Sequence, residues 1–212
     1  MKKFLKAFVA LFLIFALAIG LFSFWYNQLN FRLRTITPNL VYKSGLIPPD
    51  KLEEFLIPRN IKTVVDLLDP GVQDAPNPGK QENIDAEDRA IEELNKKYGR
   101  NIRHINIPSH QIPTKKTLKA FFKVIDNKDN YPILIHCYHG YGRAVIYSAI
   151  YRIEKENWSN EKAQSQTRLL KILVDSPFHH GSFSKYREKG KFLLNYKPRK
   201  FGKESTFYKL VK

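Results

Sequence analysis

Short, apolar, β-branched runs alternate with stretches of helical periodicity between about residues 40 and 173, which limits the chain to few architectures. The runs 61–68 (IKTVVDLL) and 133–135 (ILI) are mainly apolar and β-branched, as strands inside a parallel sheet are. We predict strands over 40–42, 61–68, 102–107 and 133–135, and helices over 50–56, 86–98, 117–125, 143–156 and 160–173. This order indicates an α/β domain with three layers, α/β/α, around a central, mostly parallel sheet.

The N-terminus carries an uncharged apolar run from Ala7 to Tyr26, preceded by three lysines. A run of this length can cross a bilayer as a helix, and its Trp25-Tyr26 end is typical of the membrane interface. We therefore predict a single-pass transmembrane helix with the N-terminus in the cytoplasm and the domain on the far, periplasmic or extracytoplasmic, side. The alternative is a secreted protein, since Ala16-Leu17-Ala18 has the small-x-small form of a signal-peptide cleavage site.

The formal net charge of +16 lies mainly at the two ends of the chain. Residues 1–36 hold five basic and no acidic residues, and residues 176–212 hold ten basic and two acidic ones. Basic ends around a nearly balanced middle favour a membrane as partner over nucleic acid, because anionic headgroups attract Lys and Arg. We interpret the alternation of basic and aromatic residues over 183–208 as a solvated flank with a few rings packed on the core.

The single cysteine, Cys137, lies in a segment suited to holding an anion. Gly140 and Gly142 allow the backbone after the strand to turn consecutive N–H groups inward, into an anion-binding nest. The helix that begins at Arg143 points its positive N-terminal end into the same hollow. Such surroundings favour a thiolate, so Cys137 is predicted to be a nucleophile and not a small buried hydrophobic residue.

Arg143 completes this segment, because its guanidinium can bind two phosphoryl oxygens at once and stabilise the charge that develops on them. The pattern His136-Cys137-x5-Arg143 resembles the signature of the protein tyrosine phosphatase superfamily, especially its small dual-specificity-like members. The resemblance extends over about residues 38–175, through segments that are similar to further elements of that branch: 41–45, 61–68, 131–151 and 157–159.

The resemblance implies a cysteine-dependent phosphatase that hydrolyses phosphomonoesters through a phosphocysteine, without metal or cofactor. Cys137 would attack phosphorus, and His136 would orient the loop. Phosphate would be held by Arg143 and by the backbone of Tyr138, His139, Gly140, Tyr141 and Gly142. Family breadth favours phosphotyrosine or dual-specificity protein substrates, with a phospholipid or inositol phosphate as the alternative. The predicted organisation is a membrane anchor and linker over 1–36, the phosphatase domain over 37–175, and a basic aromatic extension over 176–212.

Two departures from the family pattern bear on turnover. A Ser or Thr usually follows the loop arginine and helps to expel the thiolate, whereas this chain has Ala144. We therefore hypothesise that the phosphocysteine forms normally and breaks down slowly. The usual aspartic general acid is absent too, since no Asp or Glu occurs between Leu94 and Ile125. His110 is the predicted substitute, and the less favoured candidates are Asp69, Asp74, Asp85 and Asp88.

Two other interpretations stay open at this point. A catalytically impaired, phosphate-binding pseudophosphatase is favoured by Ala144 and the missing acid, and opposed by the intact Cys137 and Arg143. A rhodanese-like sulfurtransferase also uses a loop cysteine, but the histidine before the cysteine and the arginine spacing argue against it. The pair His179-His180 is a weak metal signal without partnered Cys or carboxylate ligands, so no metal is assigned.

Overall fold

In the computed structural model, which describes residues 2–71, 78–167 and 182–199, a five-stranded sheet runs through the domain. Its strands are β1 (Arg34–Thr37), β2 (Val41–Ser44), β3 (Thr63–Asp66), β4 (Arg103–Asn106) and β5 (Ile133–His136). The strand order is β1-β2-β5-β3-β4, in which β1 runs antiparallel to β2 and all other pairs are parallel. The predicted α/β class with a mostly parallel sheet is confirmed.

Helices cover both faces of this sheet. They are α2 (Leu52–Leu56), α3 (Gln81–Tyr98), α4 (Lys115–Asp126), α5 (Arg143–Glu156), α6 (Asn160–Ser165) and α7 (Glu188–Leu194). The N-terminal helix α1 (Lys2–Phe24) does not pack on the sheet. Successive strand residues point to opposite faces. Val64 and Leu134 therefore pack under α2 and α3, while Val65 and Ile135 pack under α4 and α5. Burial on both faces explains why the middle of β3 and most of β5 consist of Val, Ile and Leu.

The predicted elements agree with the observed ones in type and differ at their ends. The strand predicted over 61–68 spans only 63–66, and the helix predicted from residue 86 begins at Gln81, where Lys80 and Asn83 form a reciprocal cap. Two elements were not predicted: β1 is a polar edge strand, and α7 is a short helix in a basic segment. The helix predicted over 160–173 is observed over Asn160–Ser165, and the part beyond residue 167 lies outside the described residues.

The N-terminal apolar run is helical from Lys2 and continues into a π-helical turn, Trp25–Leu29. Residues 4–29 make a helix that is long and apolar enough to cross a membrane. A signal sequence at the N-terminus would have the same length and composition, so this helix alone does not distinguish an anchor from a leader.

The basic C-terminal segment packs on the domain over the part that the structure describes. Phe183 is 1% exposed and lies in the same core cluster as α5, together with Leu193 of α7. Glu154 of α5 accepts hydrogen bonds from the Tyr196 hydroxyl and the Arg199 guanidinium. Outside the described residues are His179, His180, Asp74 and residues 200–212, with Phe201 and Tyr208. The division of the chain at residue 175 stays a prediction.

We expect Phe183→Ala to lower the free energy of unfolding by about 3–5 kcal/mol, because it removes a fully buried ring from the core. Tyr186→Ala, three residues further on, is the matched control, since this side chain is 58% exposed. Its effect should stay within about 0.5 kcal/mol. Urea unfolding of the full-length protein in detergent measures both, and equal small effects would show that the segment does not pack on the core.

Candidate active site

The loop between β5 and α5 surrounds the sulfur of Cys137 with backbone N–H groups. The Cys137 Sγ accepts hydrogen bonds from the Gly140 N–H at 3.3 Å and from the Ala144 N–H at 3.5 Å. The first donor comes from the middle of the loop and the second from the first turn of α5. The thiol is 3% exposed, so these donors act on it away from bulk water. The arrangement is an electropositive nest around the sulfur.

The carbonyl groups of the same loop point away from the sulfur and are held there. Three consecutive carbonyl oxygens accept hydrogen bonds from residues 32–46: Tyr138 O from the Leu46 N–H at 3.0 Å, His139 O from Arg32 Nη1 at 2.8 Å, and Gly140 O from Lys43 Nζ at 3.1 Å. In a planar trans peptide the C=O and the next N–H point in opposite directions. Holding these three oxygens outward therefore turns the N–H groups of residues 139–141 inward.

Gly140 allows the loop to lie directly on the end of β2. Its φ of +68° is in the left-handed region, and a Cβ at this position would lie 2.6 Å from the Gly45 nitrogen and 2.8 Å from the Ser44 carbonyl. A side chain here would push the loop away from β2 and break the hydrogen bonds that orient it.

Arg143 connects the loop to the ends of β3 and β4. Its side chain is buried, and Nη1 donates to the carbonyl oxygens of Leu67 and Ser109, the latter at 3.2 Å. Ser109 is itself held, because its hydroxyl lies 2.8 Å from the Tyr147 hydroxyl of α5. The guanidinium therefore brings the segments after β3 and β4 to the rim of the nest around Cys137.

Lys43 of β2 adds a positive charge beneath the loop. Its ammonium is buried and donates to the carbonyls of Gly140 and Arg32. Burial lowers the pKa of Lys43 from 10.5 to about 8, although the nearby Cys137 sulfur favours the charged form. Lys43 therefore changes charge close to physiological pH, at a point where it affects both the loop geometry and the potential at the sulfur.

His136, the last residue of β5, lies behind the loop in a buried cluster. Its Nε2 is 3.0 Å from the Glu87 carboxylate and 3.7 Å from that of Asp66. Burial favours the neutral imidazole, but the two carboxylates outweigh it and raise the pKa of His136 to about 9. The predicted role of His136 in orienting the loop stays a prediction, as do the roles of Cys137 and Arg143 in chemistry.

The acid candidates fall into two groups. His110 is exposed and follows Ser109, and Asp69 is half-buried and lies two residues after Leu67, so Arg143 holds the backbone near both. Asp85 and Asp88 lie on α3, where Asp85 accepts from Gln81 and Asp88 contacts His104. Asp74 lies outside the described residues. His110 and Asp69 are therefore the candidates carried by segments at the rim.

Sequence reasoning missed the residues that hold the loop from outside. In the sequence Lys43 lies within the segment 41–45, and Arg32 is one of the five basic residues over 1–36, so neither is marked as a contact of the loop. Arg32 also lies over the Tyr141 ring at 4.4 Å and bonds to Asn27, which accepts from the Tyr141 hydroxyl. These residues reach the loop because β2 pairs with β5 in the sheet.

Comparisons with known proteins agree with this architecture. Residues 46–156, just over half of the chain, match the family described as "Polymorphic toxin system, DSP-PTPase phosphatase". The catalytic core of the PP-IP phosphatase Siw14 from S. cerevisiae superposes with a TM-score of 0.52 at 17% identity, covering 78% of this chain and 85% of that one. TpbA from P. aeruginosa superposes with a TM-score of 0.51 at 18% identity, covering 79% and 86%. These structures share the fold. No curated protein matches the sequence.

We expect the kcat/KM of the chain for an aryl phosphate to fall as pH rises through about 8, because Lys43, whose pKa is about 8, loses its proton and its charge there. Below this pH the ammonium is charged and the loop keeps its donor to Gly140. Lys43→Arg keeps the charge at all accessible pH values and should remove this alkaline decline, while Lys43→Met should lower kcat/KM at pH 7 and flatten the profile. If the decline in kcat/KM is unchanged in Lys43→Arg, another group, such as His136, causes it.

Proposed function

Because the chain belongs to the DSP-PTPase phosphatase family of polymorphic toxin systems, we propose that it hydrolyses phosphomonoesters through a phosphocysteine on Cys137. The observation that carries this proposal is the position of the Cys137 sulfur, which accepts from the amides of Gly140 and Ala144 inside a loop that is closed by Arg143. Such a cradle stabilises both a thiolate and the oxygens of a phosphoryl group.

The proposed reaction has two displacement steps. In the first, the Cys137 thiolate attacks phosphorus, an S–P bond forms, and the P–O bond to the leaving group breaks as that oxygen takes up a proton. The inward N–H groups of residues 139–141 and the Arg143 guanidinium bind the phosphoryl oxygens while charge spreads over them. In the second, water attacks phosphorus, the S–P bond breaks, and the thiolate returns with release of inorganic phosphate and a proton.

We propose that the substrates are proteins that carry phosphotyrosine, or both phosphotyrosine and phosphoserine or phosphothreonine. The breadth of the superfamily favours these substrates. The protein is proposed to be held at the membrane by α1, with its domain on the far side from the cytoplasm. A secreted form remains the alternative, in which α1 is a cleaved leader.

A phosphorylated lipid or inositol phosphate is the second candidate substrate, and one observation favours it. Residues at the end of the apolar helix and just after it contact the phosphate loop directly: Asn27 accepts from the Tyr141 hydroxyl, and Arg32 donates to the His139 carbonyl at 2.8 Å. If α1 spans a bilayer, the residues that contact the loop lie at the end of the membrane-spanning helix or a few positions after it. The loop then lies close to the membrane surface. Headgroup phosphates would then be within its reach without a separate docking surface.

Hydrolysis of an activated aryl phosphate by the full-length protein in detergent tests the reaction. We expect turnover without added metal, no turnover in Cys137→Ser, and a loss of about 10²–10³-fold in Arg143→Lys, since a lysine cannot bind two phosphoryl oxygens at once. Phosphate binding without any turnover would instead support a pseudophosphatase.

The same preparation, assayed on a phosphotyrosine peptide, an inositol phosphate and vesicles containing a phosphoinositide, compares the substrate classes. We expect the highest kcat/KM for the phosphotyrosine peptide. A preference of tenfold or more for the vesicles would favour the lipid candidate, and a preference for free inositol phosphate would favour the headgroup without the bilayer.

His110→Ala should lower turnover of a poor leaving group, such as a phenyl phosphate, by about 10²–10⁴-fold and leave a nitrophenyl phosphate nearly unchanged, because only the poor leaving group needs a proton donor. Asp69→Asn is the matched variant at the neighbouring segment of the rim. Steady-state rates on the two esters separate the candidates. A selective loss in Asp69→Asn alone would move the acid role to Asp69, and equal losses on both esters in His110→Ala would reject it for His110.

A further inference from the structure

Four ionisable side chains lie together in the apolar layer between the sheet and α3, directly behind the phosphate loop. They are Asp66 of β3, Glu87 of α3, His104 of β4 and His136 of β5, and their exposed side-chain fractions are 0%, 2%, 4% and 1%. Asp66 and His136 are paired in register on neighbouring strands. His104 is paired with Val64, two residues before Asp66, so the three strand residues point to the same face.

The donor atoms of this quartet are spaced as the ligands of one small cation are. Each residue offers one nitrogen or oxygen, and all four lie within 4.8 Å of one another. Glu87 Oε2 is 3.0 Å from His136 Nε2 and 3.2 Å from His104 Nε2. The Asp66 oxygens are 3.7 Å and 3.9 Å from the same two nitrogens. Four ligands around a tetrahedral zinc ion are separated by about 3.3 Å, which follows from bonds of about 2.0 Å.

The atoms that face the centre of the quartet make no well-formed hydrogen bonds. Glu87 Oε2, His104 Nε2 and His136 Nε2 are all buried, and the contacts of Glu87 with the two imidazoles are ion-pair contacts without hydrogen-bond geometry. The outer atom His136 Nδ1 is buried without a hydrogen-bond partner too. Buried polar atoms of this kind are costly unless something satisfies them. A cation at the centre would satisfy all three inward-facing atoms at once.

The outer atoms of two of these residues are held, as in built metal sites. The Nδ1 of His104 lies 3.2 Å from the Asp88 carboxylate, which leaves its Nε2 to face inward. Asp66 accepts from the Leu68 N–H at 2.7 Å and from the Asn106 amide at 2.9 Å. Such outer partners set the tautomer and orientation of metal ligands and strengthen binding.

The charges of the quartet also suit a divalent ion. Two carboxylates carry two negative charges in a layer that is otherwise lined by residues such as Leu94 and Ile102. One divalent cation bound by neutral imidazoles neutralises them completely, and its binding displaces the proton that the carboxylates favour on His136 in the metal-free protein. The Asp88 side chain, which is 57% exposed, lies beside His104 and marks the side of the cluster nearest to solvent.

We propose that Asp66, Glu87, His104 and His136 form a structural binding site for one divalent transition-metal ion, with zinc as the ion that best fits two imidazoles and two carboxylates. All four positions are filled by protein ligands, so the ion orders the fold and does not bind substrate. It joins α3 to the ends of β3 and β5 and holds His136, the residue before Cys137. This site is independent of the proposed reaction, and neither proposal requires the other.

Titration of chelator-treated, full-length protein in detergent with Zn²⁺ and Co²⁺ tests the site. We expect one equivalent to bind, with a rise in Tm of about 5–10 °C at a zinc concentration of about 100 times Kd. Bound Co²⁺ should give the visible absorption of a tetrahedral nitrogen and oxygen site. A sulfur-to-cobalt charge-transfer band that disappears in Cys137→Ser would place the ion on the thiolate and overturn the proposal.

Glu87→Gln and His104→Gln should each weaken zinc binding by more than about 100-fold and abolish the rise in Tm, whereas Asp88→Asn should weaken it by about 10–100-fold. Glu92→Gln, an exposed carboxylate on the same helix, is the matched control and should change neither. His179→Ala with His180→Ala should also leave binding intact. Metal-free circular dichroism identifies variants that do not fold, and Asp88→Asn supplies the test if both ligand variants fail. Absence of binding, or binding unchanged in these variants, would overturn the proposal.

Discussion

The outward orientation of three carbonyl groups in the loop after β5 is the constraint on which the candidate active site depends. A nest of amides is unfavourable without an anion, because it places the positive ends of several dipoles close together and leaves the carbonyls to find partners elsewhere. Here the partners are Leu46, Arg32 and Lys43, all within residues 32–46, the segment that contains β1 and β2. The sulfur of Cys137 then lies among the N–H groups that these contacts turn inward.

The parallel sheet makes these contacts possible, since the ends of β2, β3 and β5 lie side by side. On one face of the sheet Arg143 joins the loop to Leu67 and Ser109, and on the other face the quartet around Glu87 lies behind His136. The nucleophile therefore stands between two buried polar groups that belong to different helical layers. A change in either layer would reach the loop through a residue adjacent to Cys137 or through Arg143.

The fold class and the cysteine loop could be predicted from the sequence because both are local patterns. The apolar run at 133–135, the two glycines and the Cys–Arg spacing all lie within one strand, loop and helix. The supports of the loop could not be predicted in this way, since Arg32 and Lys43 lie about a hundred residues before the carbonyls that they bind. The quartet was hidden for the same reason: its members come from four elements with no regular spacing, and β1 was missed because its edge position leaves it polar.

Catalysis by this cradle requires the transfer of phosphate to the sulfur that it holds. Rapid mixing of the full-length protein with an activated aryl phosphate, followed by acid quench and mass analysis of the peptide that contains Cys137, measures this transfer directly. Ala144 lacks the hydroxyl that helps to expel the thiolate. We therefore expect a phosphocysteine that accumulates within the first turnover and decays slowly. The Ala144→Ser variant should accumulate less of this phosphocysteine. Release of inorganic phosphate at the same rate as the aryl leaving group, with no phosphate on Cys137 at any quench time, would contradict this mechanism.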